Sequence, residues 1–194
     1  MSRRAGASGR NGLDWRIVAI AGAIVVALVI VVLALLLSNG DPKDRGTIEP
    51  DGGRGHVAVG QVPTYTSVPA TSGSHWSSVN PECPMNWGVY TSAVLEPCAV
   101  HNLEHGGIVI WYRSGLPADQ VAKLADFVSA QLSTTQFKYV LSPWAGKDFG
   151  HPIAVTAWRW LLYLDSADTD AIRGFATQHY GKAPEPNGGP AAPG

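Results

Sequence analysis

Ile17 to Leu37 is an unbroken run of 21 residues: fifteen Ile, Val and Leu, five Ala and one Gly, with no charge and no hydroxyl. No other feature restricts the chain as much. At 1.5 Å rise per residue a helix of this length spans roughly 31 Å, the thickness of a bilayer's hydrocarbon core. Fifteen large aliphatics at about −0.4 kcal/mol each supply roughly −6 kcal/mol of insertion free energy. A cleaved signal peptide would have a shorter apolar region ending in small residues, whereas this run ends in Leu35-Leu36-Leu37. The expectation is an uncleaved signal anchor, a single transmembrane helix that holds residues 17–37 in a lipid bilayer. Arg3, Arg4, Arg10 and Arg16 precede the run, offset in part by Asp14. That basic excess places the N-terminus in the cytoplasm and everything after Leu37 outside the membrane.

Charge elsewhere is balanced. Fourteen Lys+Arg against fifteen Asp+Glu give a net charge of −1, and residues 61–194 hold seven basic and ten acidic side chains. No basic field points to nucleic acid. The domain plan reads as a cytoplasmic N-terminus (1–16), the transmembrane helix (17–37), a flexible linker (38–55), an extracytoplasmic globular domain (56–182) and a disordered Pro/Gly tail (183–194). The linker contains a single aliphatic residue, Ile48, and Gly181 to Gly194 has eight Gly or Pro in fourteen. Neither stretch has the apolar surface to offset its ordering entropy. Cys83 and Cys98 are the only cysteines. In an exported domain a disulfide between them is favoured over two free thiols or a thiolate metal pair.

Within the globular part, Gly107 to Tyr112 reads as a buried strand, and Pro117 opens a helix with Val121, Leu124, Ala125, Val128 and Leu132 on one face. Phe137 to Leu141 reads as a second strand and Ile153 to Leu164 as one long strand. A last helix is capped by Asp168, with Ile172, Phe175, Ala176 and His179 on one side. This order gives an α+β fold: beyond the transmembrane helix, a ferredoxin-like β-α-β-β-α sandwich with both helices on one sheet face. The half before Gly106 is loop-rich and irregular, with short strands within His56–Val62 and Trp87–Tyr90. Trp158 and Trp160, two apart on the supposed long strand, should share a sheet face.

Chemistry concentrates in the histidines. His101-Asn-Leu-Glu104-His105-Gly106 precedes the first core strand. On a helical turn, His101 and His105 share a face and can hold one ion; on a strand they are about 13 Å apart and cannot. Pro97 and Gly106 favour one or two helical turns between them. The letters also match the H-x-x-E-H zinc-peptidase pattern, although a strand follows almost at once. The turn Thr71-Ser72-Gly73-Ser74-His75 aims His75 inward, and His151 lies before the long strand near the same sheet. His75, His101, His105, His151 and Glu104 are therefore candidate ligands for copper or zinc, both of which accept imidazole. A shared ion requires side-chain nitrogens of His75 and His101 within about 4–5 Å. His56 and His179 read as surface or packing residues.

The Thr71-Ser72-Gly73-x-His75 turn, the His101-x-Leu103-Glu104-His105-Gly106 motif, Ser142-Pro143 and Ala183-Pro184-Glu185-Pro186 resemble the family catalogued as domain of unknown function 3105. The resemblance covers about His56 to Pro186. It implies a bacterial envelope protein with an N-terminal anchor, and it points to His75, His101, Glu104 and His105 as the family's site. It brings no reaction. Where paired prolines are expected before the turn, this chain has Pro69-Ala70.

Three functions compete. The first is an anchored extracytoplasmic domain that binds copper or zinc through the histidine cluster. The second is a non-catalytic envelope interaction module in which the histidines are scaffold. The third is a metal-dependent hydrolase with Glu104 as base.

Overall fold

The computed structural model describes residues 15–37, 46–77 and 83–193, with the side chains of the first helix described as far as Ile30. Contacts divide the chain into two units, Met1–Asp41 and Pro42–Gly194. The first contains helix α1, Trp15–Leu37. Among the described residues, no helix is long and apolar enough to cross a membrane. The expected transmembrane anchor, and with it a single-pass location at the cell membrane, is not supported. The expected cytoplasmic segment lies largely outside the described residues, as does the linker from 38 to 45.

The second unit is built on a six-stranded sheet in the order β1-β8-β7-β5-β6-β4. Its strands are β1 (Thr47–Ile48), β4 (Gly88–Val89), β5 (Ile108–Arg113), β6 (Tyr139–Trp144), β7 (Ile153–Ala157) and β8 (Trp160–Leu164). A separate two-stranded sheet pairs β2 (His56–Val57) with β3 (His75–Trp76). Three helices complete the unit: α2 (Glu96–Glu104), α3 (Ala118–Leu132) and α4 (Thr169–His179).

The ferredoxin-like sandwich is not the observed fold. In that topology the two strands joined by a helix are split by a third strand. Here β5 and β6, joined through α3, are direct parallel neighbours, from Ile108 beside Tyr139 to Arg113 beside Trp144. The long strand is also a misreading. Residues 153–164 fold back as an antiparallel hairpin pairing Ile153 with Leu164 and Ala157 with Trp160. Its turn holds Arg159 at φ 65°, so the one charged residue of an otherwise apolar run is the point where the chain reverses. The reversal sends the two tryptophans to opposite sides. Trp158 joins the core under α2, while Trp160 packs against the core under α3 and α4.

Period-2 alternation explains why the sheet is covered on both faces. On β5, Ile108 and Ile110 face a core shared with Leu124, Phe127 and Val128 of α3 and Ile172, Phe175 and Ala176 of α4. Val109 and Trp111 face the opposite core, with Cys98, Ala99, Val100 and Leu103 of α2. The last helix starts as its sequence suggests, with the Asp168 carboxylate accepting from the backbone N–H groups of Asp170 and Ala171 at 3.0 Å. On the α2 side, the Cys83–Cys98 disulfide ties the preceding loop to the helix.

Two segments read as tether and tail join the unit instead. Thr47 and Ile48 pair with Leu161 and Trp160 as an edge strand, and Glu49 N–H donates to the Arg159 carbonyl at 2.8 Å. Residues 183–190 lie on the domain: Glu185 N–H donates to the Glu104 carbonyl at 3.0 Å, and Trp87 Nε1–H to the Pro190 carbonyl at 3.0 Å. Composition undervalues both segments because backbone hydrogen bonds to an existing sheet or loop hold them without a core of their own.

Candidate metal centre

Helix α2 opens with Pro97 in its first turn, and every residue from Cys98 to Glu104 is buried. Its i, i+3 spacing puts His101 and Glu104 on one face. Against that face lie the two short parallel strands, whose register sets His56 directly beside His75. His75 reaches inward from the Thr71–Ser74 turn, where Gly73 adopts φ 127°, a conformation that favours glycine.

One ligand atom from each of His56, His75, His101 and Glu104 lies within 4.8 Å of the others. His75 Nε2 is 3.0 Å from Glu104 Oε2, and His56 Nε2 is 3.9 Å from the same oxygen. His75, His101 and Glu104 are 0%, 3% and 1% exposed, whereas the His56 side chain is 47% exposed.

The hydrogen bonds of the rings define which nitrogen is available. His75 Nδ1 bonds the Gly73 carbonyl at 2.9 Å, and His101 Nδ1 bonds the Trp76 carbonyl at 2.8 Å. A carbonyl only accepts, so each Nδ1 carries a proton and in the neutral ring Nε2 presents a lone pair. His75 Nε2 and Glu104 Oε2 are also the two buried side-chain polar atoms, among the described residues, that lack a hydrogen-bond partner. With His75 neutral, two acceptors face each other across 3.0 Å, an arrangement that a cation between them resolves.

Burial, then repulsion from His75 whenever that ring is protonated, pushes the His101 pKa down to about 4; the hydrogen bond to the Trp76 carbonyl opposes this, and His105 and His56 add smaller downward contributions. The ring is neutral at neutral pH and available as a ligand. An unfolded His101 titrates near about 6.5, so between that pH and 4 the unfolded chain binds the proton that the folded chain excludes. Stability of the metal-free protein is therefore full above pH 6.5 and falls as pH drops towards 4. The His101 contribution is at most about 3 kcal/mol, less where solvent screens the ring. Thermal melts of wild type and His101→Gln across this range measure it, the variant showing the shallower pH slope.

Of the residues expected to bind metal, the structure brings together His75, His101 and Glu104. His105 lies next to the group, its ring centroid 4.9 Å from that of His101, but its Nδ1 donates to the Glu185 carbonyl at 3.1 Å and it is not part of the converging set. His151 is elsewhere. Its Nδ1 bonds Asp165 at 3.0 Å and its ring stacks on Tyr163. It precedes the start of β7, whose Ile153 pairs with Tyr112 near the end of β5, whereas His101 and Glu104 lie in the last turns of α2, just before the start of that strand. His56 was missed: an exposed imidazole after a glycine-rich stretch carries no local signal, and only the parallel register of β2 with β3 makes it a neighbour of His75. Cys83 and Cys98 form the disulfide, so neither is a thiolate ligand.

The family model described as a protein of unknown function (DUF3105) matches residues 56–192. The chain belongs to this family. The DUF3105 match begins at His56, the exposed member of the cluster, and runs through the segment that packs on His105. No curated protein and no solved structure matches the chain.

Proposed function

We propose that this DUF3105 domain binds one zinc or copper ion through His56, His75, His101 and Glu104. What supports the reading is the buried pair His75 Nε2 and Glu104 Oε2, 3.0 Å apart and without a hydrogen-bond partner among the described residues, both acceptors when His75 is neutral. A mixed set of imidazoles and one carboxylate suits zinc and copper(II). The carbonyls of Gly73 and Trp76 act as the outer partners that orient ligating imidazoles. The disulfide is compatible with an oxidising compartment, where cytosolic thiols do not compete for such an ion.

Incubating the full chain with zinc or copper(II), desalting it and measuring metal per chain tests the proposal. About one equivalent is expected, with none retained by His75→Ala. Wild type that retains neither metal would favour the scaffold role for the cluster.

A further inference from the structure

We infer that His56 is the exchange ligand of the site: the face at which a metal ion arrives and from which it passes to an incoming nitrogen or sulfur donor. The inference rests on the metal-binding reading and says what the site is for, handing an ion on instead of keeping it as a permanent brace.

Exposure around the cluster is one-sided. Three of the four ligand residues are buried, and His56 alone meets solvent. The flank next to His105 is closed by the C-terminal segment. Lys138 Nζ donates to the carbonyls of His105 at 2.9 Å, Pro186 at 2.7 Å and Gly188 at 3.0 Å. Gly188 and Gly189 lie so close against the His105 ring that neither position has room for a Cβ without displacement. An incoming ligand therefore approaches through the His56 side.

Mobility follows the same asymmetry. His75 and His101 are each held by an Nδ1 hydrogen bond to backbone, whereas among the described residues no hydrogen bond fixes the His56 ring. Its strand has two residues, and the backbone bonds beside it, His75 N–H to the Gly55 carbonyl at 3.0 Å and Ser77 N–H to the Val57 carbonyl at 3.4 Å, do not involve its side chain. The ring can rotate off without breaking the sheet. When His56 Nε2 leaves, a donor atom of the acceptor takes its coordination position while His75, His101 and Glu104 still hold the ion. Each coordination bond broken is matched by one formed, and no oxidant or reductant is needed.

The test uses the full chain loaded with zinc and a chromophoric pyridyl-azo chelator as acceptor. Wild type is expected to pass zinc at a rate rising linearly with chelator concentration. His56→Gln is expected to hold one equivalent and release it at least about tenfold faster, while His75→Ala holds none. Melting curves for both variants establish that they are folded. A wild-type rate independent of chelator concentration, a His56→Gln rate equal to wild type, or complete loss of zinc from His56→Gln would each overturn the inference while leaving metal binding intact. Wild type that takes up no zinc at the loading step overturns both readings, and that outcome is seen before any rate is measured.

Discussion

Glu104→Gln is expected to stabilise the metal-free protein and to abolish the proposed metal binding. The two effects have one cause. His75 Nδ1 is committed to the Gly73 carbonyl, so a neutral His75 ring turns a lone pair towards the Glu104 carboxylate at 3.0 Å. Both groups are almost fully buried, and a buried polar atom without a partner costs about 1–3 kcal/mol. A glutamine amide has nearly the same shape, removes the negative charge and supplies an N–H that can donate to His75 Nε2. At about 2–4 °C per kcal/mol for a chain of this size, the melting temperature of the metal-free variant should rise by several degrees. Metal affinity should fall by at least about 100-fold, because an inner ligand is lost where outer-partner losses already cost 10–100-fold. The opposite result is equally informative. If His75 is an imidazolium ion-paired with Glu104, removing one partner of a buried pair destabilises by about 3–5 kcal/mol. A large fall in the melting temperature of metal-free Glu104→Gln would identify a structural ion pair and remove the main support for a metal centre.

Saturating zinc or copper(II) should raise the melting temperature of wild type by roughly 8–16 °C. An ion that binds only the folded state at a thousand times its dissociation constant contributes about 4 kcal/mol, which converts at 2–4 °C per kcal/mol. The rise should grow with the logarithm of metal concentration, reverse on adding excess chelator, and vanish in Glu104→Gln and His75→Ala. A melting temperature insensitive to both metals across a wide concentration range would mean that the folded state has no differential affinity for them.

Much of the site was readable in the linear chain, and the reason is helix geometry. Pro97 and Gly106 bracket a segment in which His101 and Glu104 must share a face once a helix forms, and α2 forms there. The turn before His75 was equally readable, since hydroxyl residues favour turns and glycine permits the positive φ that Gly73 adopts. His105 shows the limit of such reasoning. Its i, i+4 spacing does bring it beside His101, yet a carbonyl 80 residues later claims its Nδ1. His151 failed because proximity to the same sheet is not proximity to the same end of it.

The fold divides in a similar way. The strands around Gly107–Tyr112 and Phe137–Leu141 and the helices after Pro117 and Asp168 follow from local periodicity and capping. Which strands become neighbours does not, because a run apolar on both faces reads alike as one long strand or as a folded hairpin. The apolar run 17–37 fits a bilayer by length and composition, whereas no helix among the described residues meets what crossing one demands.

Local sequence settled the helices of the second half and the strands near Gly107 and Phe137, where cysteines can pair, and that one short helix carries a histidine and a glutamate on the same face, but not that residues 153–164 fold back as a hairpin. These are consequences of residues a few positions apart, or of there being a single possible partner. Tertiary structure alone decided that His56 joins them, that the tail closes the His105 flank, and that β5 and β6 lie side by side. Those contacts span 19 to 80 residues, and they arise from backbone pairing and packing that any local reading averages away.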